Sequence, residues 1–326
     1  MTVPFIIAEI SGNHLGSLDR ALALVDAAAD AGCDAVKLQT WHTMSVDHAP
    51  LTAGPWAGRS LVDLYEECKT PWSWHDRIFS HARQSGLVPL STPFDPESVD
   101  FLETLGCALY KVASFEITDL ALIRYIASKG KPMIISTGMA EHHEIAAAVH
   151  AARGADITLL KCTSAYPAGV ANANLLTMEQ MREFRCQVGV SDHTLGHTVA
   201  VVATTLGATM IEKHLTLLRA DGGPDAAFSA EPHEMAELVR QCRDAAAALG
   251  DVRYGATDAE QSSLHYRRSL WVMRDVLAGH TLEPDDIQSL RPATGAPLSA
   301  YDGLIGMRAL VDIAANTPLR MDQFAR

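Results

Sequence analysis

Basic side chains are scarce: Lys and Arg number 26 against 39 Asp and Glu, a formal net charge of −13. Nucleic-acid phosphates are held by clustered Lys and Arg, which this chain lacks, so nucleic acid and acidic membrane surfaces are excluded as partners. No CxxC pair or metal-type cluster occurs among the six scattered cysteines, Cys33, Cys68, Cys107, Cys162, Cys186 and Cys242, which points to a reducing, cytoplasmic home. Cys162 falls at a strand end among polar residues, where a chemical role and an inert buried thiol both stay open. The opening MTVPFIIAEI has no basic region, and Glu9 ends its only apolar run. It reads as a first strand, neither signal peptide nor membrane span.

What is present suits a soluble globular protein: 48% apolar and 20% charged residues in a chain of 326. That length predicts a large barrel with an appendage or two ordinary domains. Short apolar, β-branched runs recur, each followed by helical periodicity, the pattern of repeated βα units. Eight strands are predicted at Phe5–Ile10, Ala35–Thr40, Val88–Thr92, Ala108–Ser114, Pro132–Thr137, Ile157–Thr163, Gln187–His193 and Met210–Thr216. Helices are predicted at Leu18–Ala31, Ser98–Leu105, Ala140–Ala152, Gly196–Leu206 and Glu234–Leu249. The expected fold is an α/β (β/α)8 TIM barrel over residues 1–250, a linker over 251–267 and a small C-terminal domain over 268–326. An insertion from His42 to Thr70 carries APLTAGPWAG and then a short helical SLVDLYEEC; a loop that long inside a compact domain is usually a functional lid or disordered. In the tail, RDVLAGHTLEPDD and VDIAANTPLRMDQ align at an offset of 37, from Asp275 to Asp312, with Gly279 matching Asn316, two residue types that tolerate a left-handed turn.

A barrel of this type carries its site at the C-terminal ends of the strands. The polar residues there are Glu9; Lys37 and Gln39; Thr92; Lys111 with Ser114 and Glu116; Ser136 with Thr137; Thr163 with Ser164; Ser191 with Asp192 and His193; and Lys213 with His214. A lysine inside an apolar strand needs a carboxylate or a bound anion. Lys37 and Lys111 therefore predict either structural pairs with Glu9, Glu116 or Glu212, or a phosphate site among hydroxyls. His193 and His214 end adjacent strands, where neutral imidazoles can converge on a divalent metal or serve as hydrogen-bonded structural residues. His14 is a loop cap or a third site residue. Asp225, in the Gly-rich loop GGPDAAFS, is placed to bind a hydroxyl or a metal-bound water. Trp72, Trp74 and Tyr301 are open to two roles, sugar platforms or apolar anchors of a loop and of the small domain.

In order along the chain stand AEISGNHLGS, AVKLQTW, STPFD, YKVASFEITD, IISTGMA, LKCTSAYP, GVSDHTLG, IEKHLTL, GGPDAAFS, SLRPATG and LIGMRA. On that ordered set the chain resembles the sialic acid synthase family over essentially its whole length, barrel plus SAF (antifreeze-like, β-clip) domain. PWSWH, SFEITD, CTSAYP and GGPDAAFS resemble the pseudaminic acid branch more than the N-acetylneuraminate or legionaminate branches. The chain departs from the neuraminate pattern at Ser164, where those enzymes carry Asn, which bears on phosphoenolpyruvate contacts, and at Leu15 in place of the NHNG form.

The resemblance implies a transferase that condenses phosphoenolpyruvate with 2,4-diacetamido-2,4,6-trideoxy-β-L-altropyranose and water, giving pseudaminic acid and phosphate. By motif, His193 and His214 would hold Mn²⁺, Mg²⁺ or Co²⁺. Thr92, Lys111, Ser114, Ser136, Ser164 and Ser191 would hold phosphoenolpyruvate, with Lys37 and Gln39 beside its reacting end and Glu9 and Glu116 offsetting positive charge at its carbon 2. Asp225, Tyr166 and Phe228 would shape the sugar pocket, and Arg291 would complete it in the other subunit of a domain-swapped homodimer. Rival expectations are a neuraminate or legionaminate synthase, a metal hydrolase on the same barrel, disfavoured because the first strand carries no HxH, and a binding protein with a retired barrel, disfavoured by the intact strand-end set.

Overall fold

A computed structural model describes residues 3–326 and divides the chain into two compact units, meeting in sequence between Gly250 and Asp251. In the first, β1 (Phe5–Glu9), β2 (Ala35–Thr40), β3 (Val88–Pro93), β4 (Tyr110–Val112), β5 (Met133–Ser136), β6 (Ile157–Cys162), β7 (Gln187–Asp192) and β8 (Met210–His214) pair in parallel in chain order. β8 closes on β1 in the register Glu9↔His214. The eight-stranded barrel expected from the βα rhythm is thus observed, with strand ends shifted by one or two residues. β4 is the shortest because its ladder to β3 is a single pair, Ser91↔Tyr110, and a tight turn begins at Ser114.

The surrounding helices are α1 (Leu18–Asp30), α2 (Leu61–Cys68), α3 (Trp72–Gln84), α4 (Pro96–Thr104), α5 (Leu120–Ala127), α6 (His142–Ala151), α7 (Thr177–Met181), α8 (Thr198–Thr205) and α9 (Pro232–Leu249). Three of these, α3, α5 and α7, go beyond the helices drawn from periodicity. In α3 the buried stripe is His75, Ile78, Phe79 and Ala82. Its first member is polar and satisfied by Thr40 Oγ1 at 2.8 Å, so a count of apolar residues misses the turn it begins. Trp72 stacks on Phe101 at 4.4 Å and Trp74 meets the His14 ring edge-on, so both act as packing anchors, on a helix rather than a loop. One apolar core fills the barrel and the strand–helix layer, and no described helix is long and apolar enough to cross a membrane.

The second unit has its own core around Leu270, Val272, Leu304 and Leu319, with Tyr301 packed against it as an anchor. β9 (Ser269–Val272) lies between β10 (Ile287–Leu290) and β12 (Thr317–Pro318), while β11 (Arg308–Ala309) pairs with β13 (Phe324–Ala325). The repeat read from sequence becomes a pseudo-twofold. Asp275 accepts from Ala315 N–H at 2.8 Å and Asp312 accepts from Ala278 N–H at 2.7 Å, while Val276 and Ile313 exchange backbone bonds. Gly279 and Asn316 both adopt positive φ, at 87° and 59°.

Candidate active site

Side chains alternate along a strand, so Glu212 and His214 of β8 share one face and Ile211 and Lys213 the other. Glu212 reaches Lys111 of β4 at 3.3 Å and Lys37 of β2 at 3.8 Å, which only an inward position allows. The Ser191 hydroxyl donates to the same carboxylate at 2.9 Å, and Glu9 pairs with Lys37, whose ammonium also donates to Thr92 at 3.1 Å. All these side chains are nearly inaccessible to water. Burial opposes charge on each, yet Glu212 is held low by Lys111 and Lys37, and Lys37 is held protonated by Glu212 and Glu9. Both lysines therefore have the carboxylates that burial demands, and Glu116 is not among them. Among the described residues Lys111 donates to Glu212 alone, which leaves two of its three N–H donors for a ligand.

Hydroxyls gather beside this network. Ser114 Oγ accepts from Gly138 N–H at 3.1 Å, and a Cβ at position 138 would lie 2.2 Å from Ser164 Oγ and 2.7 Å from Ser114 Oγ. Only glycine lets the loop after β5 sit so close. Ser136 Oγ is buried without a partner, an orphan in a polar neighbourhood, as expected of a group that meets a ligand. Thr137 and Thr163 instead spend their hydroxyls on the Leu160 and Asn172 carbonyls.

The His193 and His214 rings lie 5.4 Å apart. His193 Nδ1 donates to the Thr163 carbonyl at 3.1 Å, which leaves Nε2 as its lone-pair nitrogen. His214 Nδ1 is buried and unpartnered, and burial, with His193 and Lys37 nearby, holds the ring neutral. Against burial, the Cys162 thiol and the Thr163 carbonyl push the His193 ring towards the protonated form, and its Nε2 is open when the ring is neutral. Together with His214, neutral and with an orphaned nitrogen, it fits a divalent cation whose other ligands are water or substrate oxygens. Among the described residues no three His, Cys, Asp or Glu gather to hold a metal by themselves. Cys162 also belongs to the strand-end group, its Sγ 3.8 Å from both Ser164 Oγ and His193 Nδ1.

Above the strands opens a cavity of about 360 Å3 onto which Gln39, Glu116, Tyr166, His214, Asp225 and Phe228 converge. Asp225 accepts from Ser11 Oγ at 2.5 Å and Gly12 N–H at 3.2 Å, and Gln39 donates to Ser11 and to Glu9. Ser11 is reached because its backbone is left-handed, φ 47°, a conformation the sequence does not announce. Leu15 is left-handed too, φ 49°, and its Cδ2 lies 2.4 Å from where a Cβ of Gly223 would be, so glycine at 223 makes room for it. His14 is a cap: Nε2 bonds the Cys68 carbonyl at 3.2 Å and Nδ1 accepts from Gly16 N–H.

In the 42–70 insertion Trp56 and Tyr65 line the cavity, Trp56 tied to the Asp225 loop through the Pro224 carbonyl at 3.0 Å. Neither was singled out from sequence. Lys213 and Asp192, read there as strand-end site candidates, form a buried pair at 2.7 Å on the outward face. Arg291, in the second unit, is exposed, and its side chain makes no hydrogen bond or ion pair among the described residues, so it caps no local carbonyl. Phe115, Met139, Val170, Leu195 and Leu218 follow β4 to β8 in turn, and all five are exposed apolar side chains on the loops that carry the site.

Glu116 Oε2 is buried without a partner, and burial pushes the carboxyl up to about 7 from its ordinary 4.5. A raised carboxyl stabilises the fold below its unfolded value, and that contribution is lost as pH rises through the folded one. Wild-type stability should fall between about pH 4.5 and 7 by on the order of 3 kcal/mol from this group. Glu116→Gln should flatten that slope in urea titrations across the window; an unchanged slope would exclude the shift.

Residues 24–254 match the NeuB family model and 267–325 the SAF domain. The pseudaminic acid synthase of Helicobacter pylori is 38% identical, the match covering 99% of this chain and 98% of that protein. The N,N'-diacetyllegionaminic acid synthase of Legionella pneumophila is 36% identical over 97% and 93% of the two chains. Among solved structures, the N-acetylneuraminic acid (sialic acid) synthetase of Leptospira borgpetersenii, crystallised with citrate, superposes with a TM-score of 0.71 at 30% identity, covering 81% of this chain and 90% of that one. With the family model spanning most of the barrel and near full-length relatives above 30% identity, the chain belongs to the NeuB family and carries a SAF domain after its barrel.

Proposed function

We propose that the protein is a cytoplasmic pseudaminic acid synthase, condensing phosphoenolpyruvate with 2,4-diacetamido-2,4,6-trideoxy-β-L-altropyranose. The observation that carries this reading is the convergence of His214, Gln39, Glu116, Tyr166 and Asp225, from four strands or the loops after them, on one cavity beside the Lys111 network. Six free cysteines suit a reducing compartment. The barrel over 1–250 would do the chemistry, the 251–267 segment would link, and the SAF domain over 268–326 would complete the sugar site of a second subunit through Arg291. The exposed apolar side chains on the barrel loops support such a cover.

Lys111, with two free donors, and Ser136, with its orphaned hydroxyl, would bind the anionic groups of phosphoenolpyruvate together with Thr92, Ser114, Ser164 and Ser191. Asp225, Tyr166 and Phe228 would orient the sugar, placing its aldehyde against carbon 3 of phosphoenolpyruvate, with Lys37 and Gln39 beside the reacting end. A divalent cation, Mn²⁺, Mg²⁺ or Co²⁺, held by His193 and His214 would polarise that aldehyde as a Lewis acid. As the carbon–carbon bond forms and the aldehyde oxygen takes a proton, Glu9 and Glu116 would offset the positive charge at carbon 2. Water adds there and loses a proton, the carbon–oxygen bond to phosphate breaks, and phosphate leaves.

The test is phosphate release from phosphoenolpyruvate with a panel of 2,4-diacetamido-trideoxyhexoses and N-acetylmannosamine. Release with the altro sugar is expected, and preference for another panel member would reassign the branch. In ¹⁸O-water the label should enter the keto-acid product; label in phosphate overturns the mechanism. Thorough chelation should abolish turnover and Mn²⁺, Mg²⁺ or Co²⁺ restore it, with His193→Ala and His214→Ala each weakening metal affinity by calorimetry. Full activity after chelation would refute the metal assignment.

A further inference from the structure

The ladder between β7 and β8 ends at the rung Asp192↔Lys213. One residue on, His214 is still held by β1 through its register with Glu9, but His193 has left the strand. A ring of side chains on the outward face ties it to β8 instead. Asp192 Oδ1 accepts from the Thr194 N–H at 2.9 Å and from the Thr194 hydroxyl at 2.7 Å. Asp192 Oδ2 accepts from Lys213 Nζ at 2.7 Å, and Lys213 closes the ring by donating to the Thr194 carbonyl. The ring therefore grips the chain on both sides of His193, whose own carbonyl accepts from the Ala168 N–H at 3.0 Å. Packing does not ask for such a ring. The rung before it on the same face is Val190 and Ile211, both buried and apolar. Asp192, Thr194 and Lys213 are as deeply buried, and apolar residues of like volume commonly replace a buried ion pair with no loss of stability.

We infer that Asp192, Thr194 and Lys213 are positioning residues, which hold the His193 and His214 rings at the separation that one divalent cation needs. The inference rests on the synthase reading and its metal assignment. Asp192 immediately precedes His193 and Lys213 immediately precedes His214, so alternation turns the pair outward while the two imidazoles turn inward. None of the three residues touches the cation. They act through the backbone, joining the end of β7 to β8 where the ladder no longer does, and so they fix the 5.4 Å between the rings. Losing an outer partner of a ligand histidine weakens metal binding by about 10- to 100-fold. Thr163 and Ala168 would still hold His193, so a loss at the lower end, about tenfold, is expected.

The experiment measures Mn²⁺ affinity by calorimetry, beside urea unfolding, in the full chain. The double variant Asp192→Leu with Lys213→Met removes the ring without leaving a buried charge unpaired. It should unfold near the wild-type midpoint and bind Mn²⁺ about tenfold more weakly. Asp192→Asn with Lys213→Met, the second variant should the first fold poorly, keeps an acceptor for Thr194 and should bind with an affinity between the two. Phosphate release by either should fall at limiting Mn²⁺ and return at saturation, a pattern that general destabilisation would not produce. Wild-type Mn²⁺ affinity in a folded double variant, or lost activity that saturating Mn²⁺ does not restore, overturns the inference; the metal assignment stands so long as His193→Ala binds Mn²⁺ more weakly. Failure of both double variants to fold would show the ring to serve stability and also overturns it. Undiminished Mn²⁺ affinity in His193→Ala and His214→Ala overturns the metal assignment and the inference together.

Discussion

Glu212→Ala is expected to lower folding stability by about 3–5 kcal/mol, the range for breaking a buried ion pair by removing one partner, and to abolish phosphate release. One carboxylate takes Lys111, Lys37 and the Ser191 hydroxyl in a space closed to water. Without it Lys111 has no ion-pair partner among the described residues, and its pKa, already lowered by burial, must fall further or the barrel must open. Glu212→Gln keeps the shape and an acceptor for Ser191, so it should cost less than alanine while still disabling the site. The sign of the pH effect is fixed: burial opposes the charge, but Lys111 and Lys37 outweigh it and set the carboxyl at about 2. Its stabilising contribution is therefore present above about pH 4.5 and is lost as pH falls towards 2, a dependence Glu212→Gln should lack. Urea unfolding of the three proteins at several pH values measures both effects. A loss below about 1 kcal/mol in Glu212→Ala, the scale of an exposed pair, would show the network to be solvated.

The same residue shows how far the sequence could be read. Strand periodicity and turn signals were enough to place eight strands, because parallel barrel strands are nearly continuous apolar runs. The strand-end rule then collected Glu9, Lys37, Gln39, Lys111 and His214, all of which do point inward. It also collected Lys213 and Asp192, which point outward to each other. Alternation could have corrected that, since residues 212 and 214 cannot share a face with 213, and it would have promoted Glu212 from a possible partner to the centre of the network. Other omissions had no signal to find. Ser11 joins Asp225 through a left-handed backbone, and Trp56 and Tyr65 reach the cavity only because a long insertion folds against Trp41. In the tail the reverse held: an alignment of Asp275 with Asp312 was legible as a repeat, and reciprocal hydrogen bonds made it a pseudo-twofold.

Deleting the residues after Asp251 is expected to leave a folded barrel with very little synthase activity. The barrel unit holds its own continuous apolar core, which includes none of the tail's side chains, so its folding does not require them. On the proposed assembly, it would lose the cover of the sugar site and with it the exclusion of water on which positioning depends. Arg291 is the residue to which the proposal gives this task, and its side chain makes no hydrogen bond or ion pair among the described residues. Its guanidinium presents a planar fork of donors that suits sugar or carboxylate oxygens and that lysine does not reproduce. Arg291→Ala and Arg291→Lys should therefore both lower kcat/KM steeply while leaving the unfolding midpoint unchanged. If Arg291 acts on a neighbour's barrel, Arg291→Ala subunits mixed with Lys111→Ala subunits will regain activity. Random pairing of equal amounts makes about half the dimers mixed, each with one composite site built from an intact barrel and an intact arginine, so recovery should approach one quarter of wild type. Subunit exchange is monitored by mass-tagged protomers. A fully active monomer in solution, or no recovery after proven exchange, refutes the shared site.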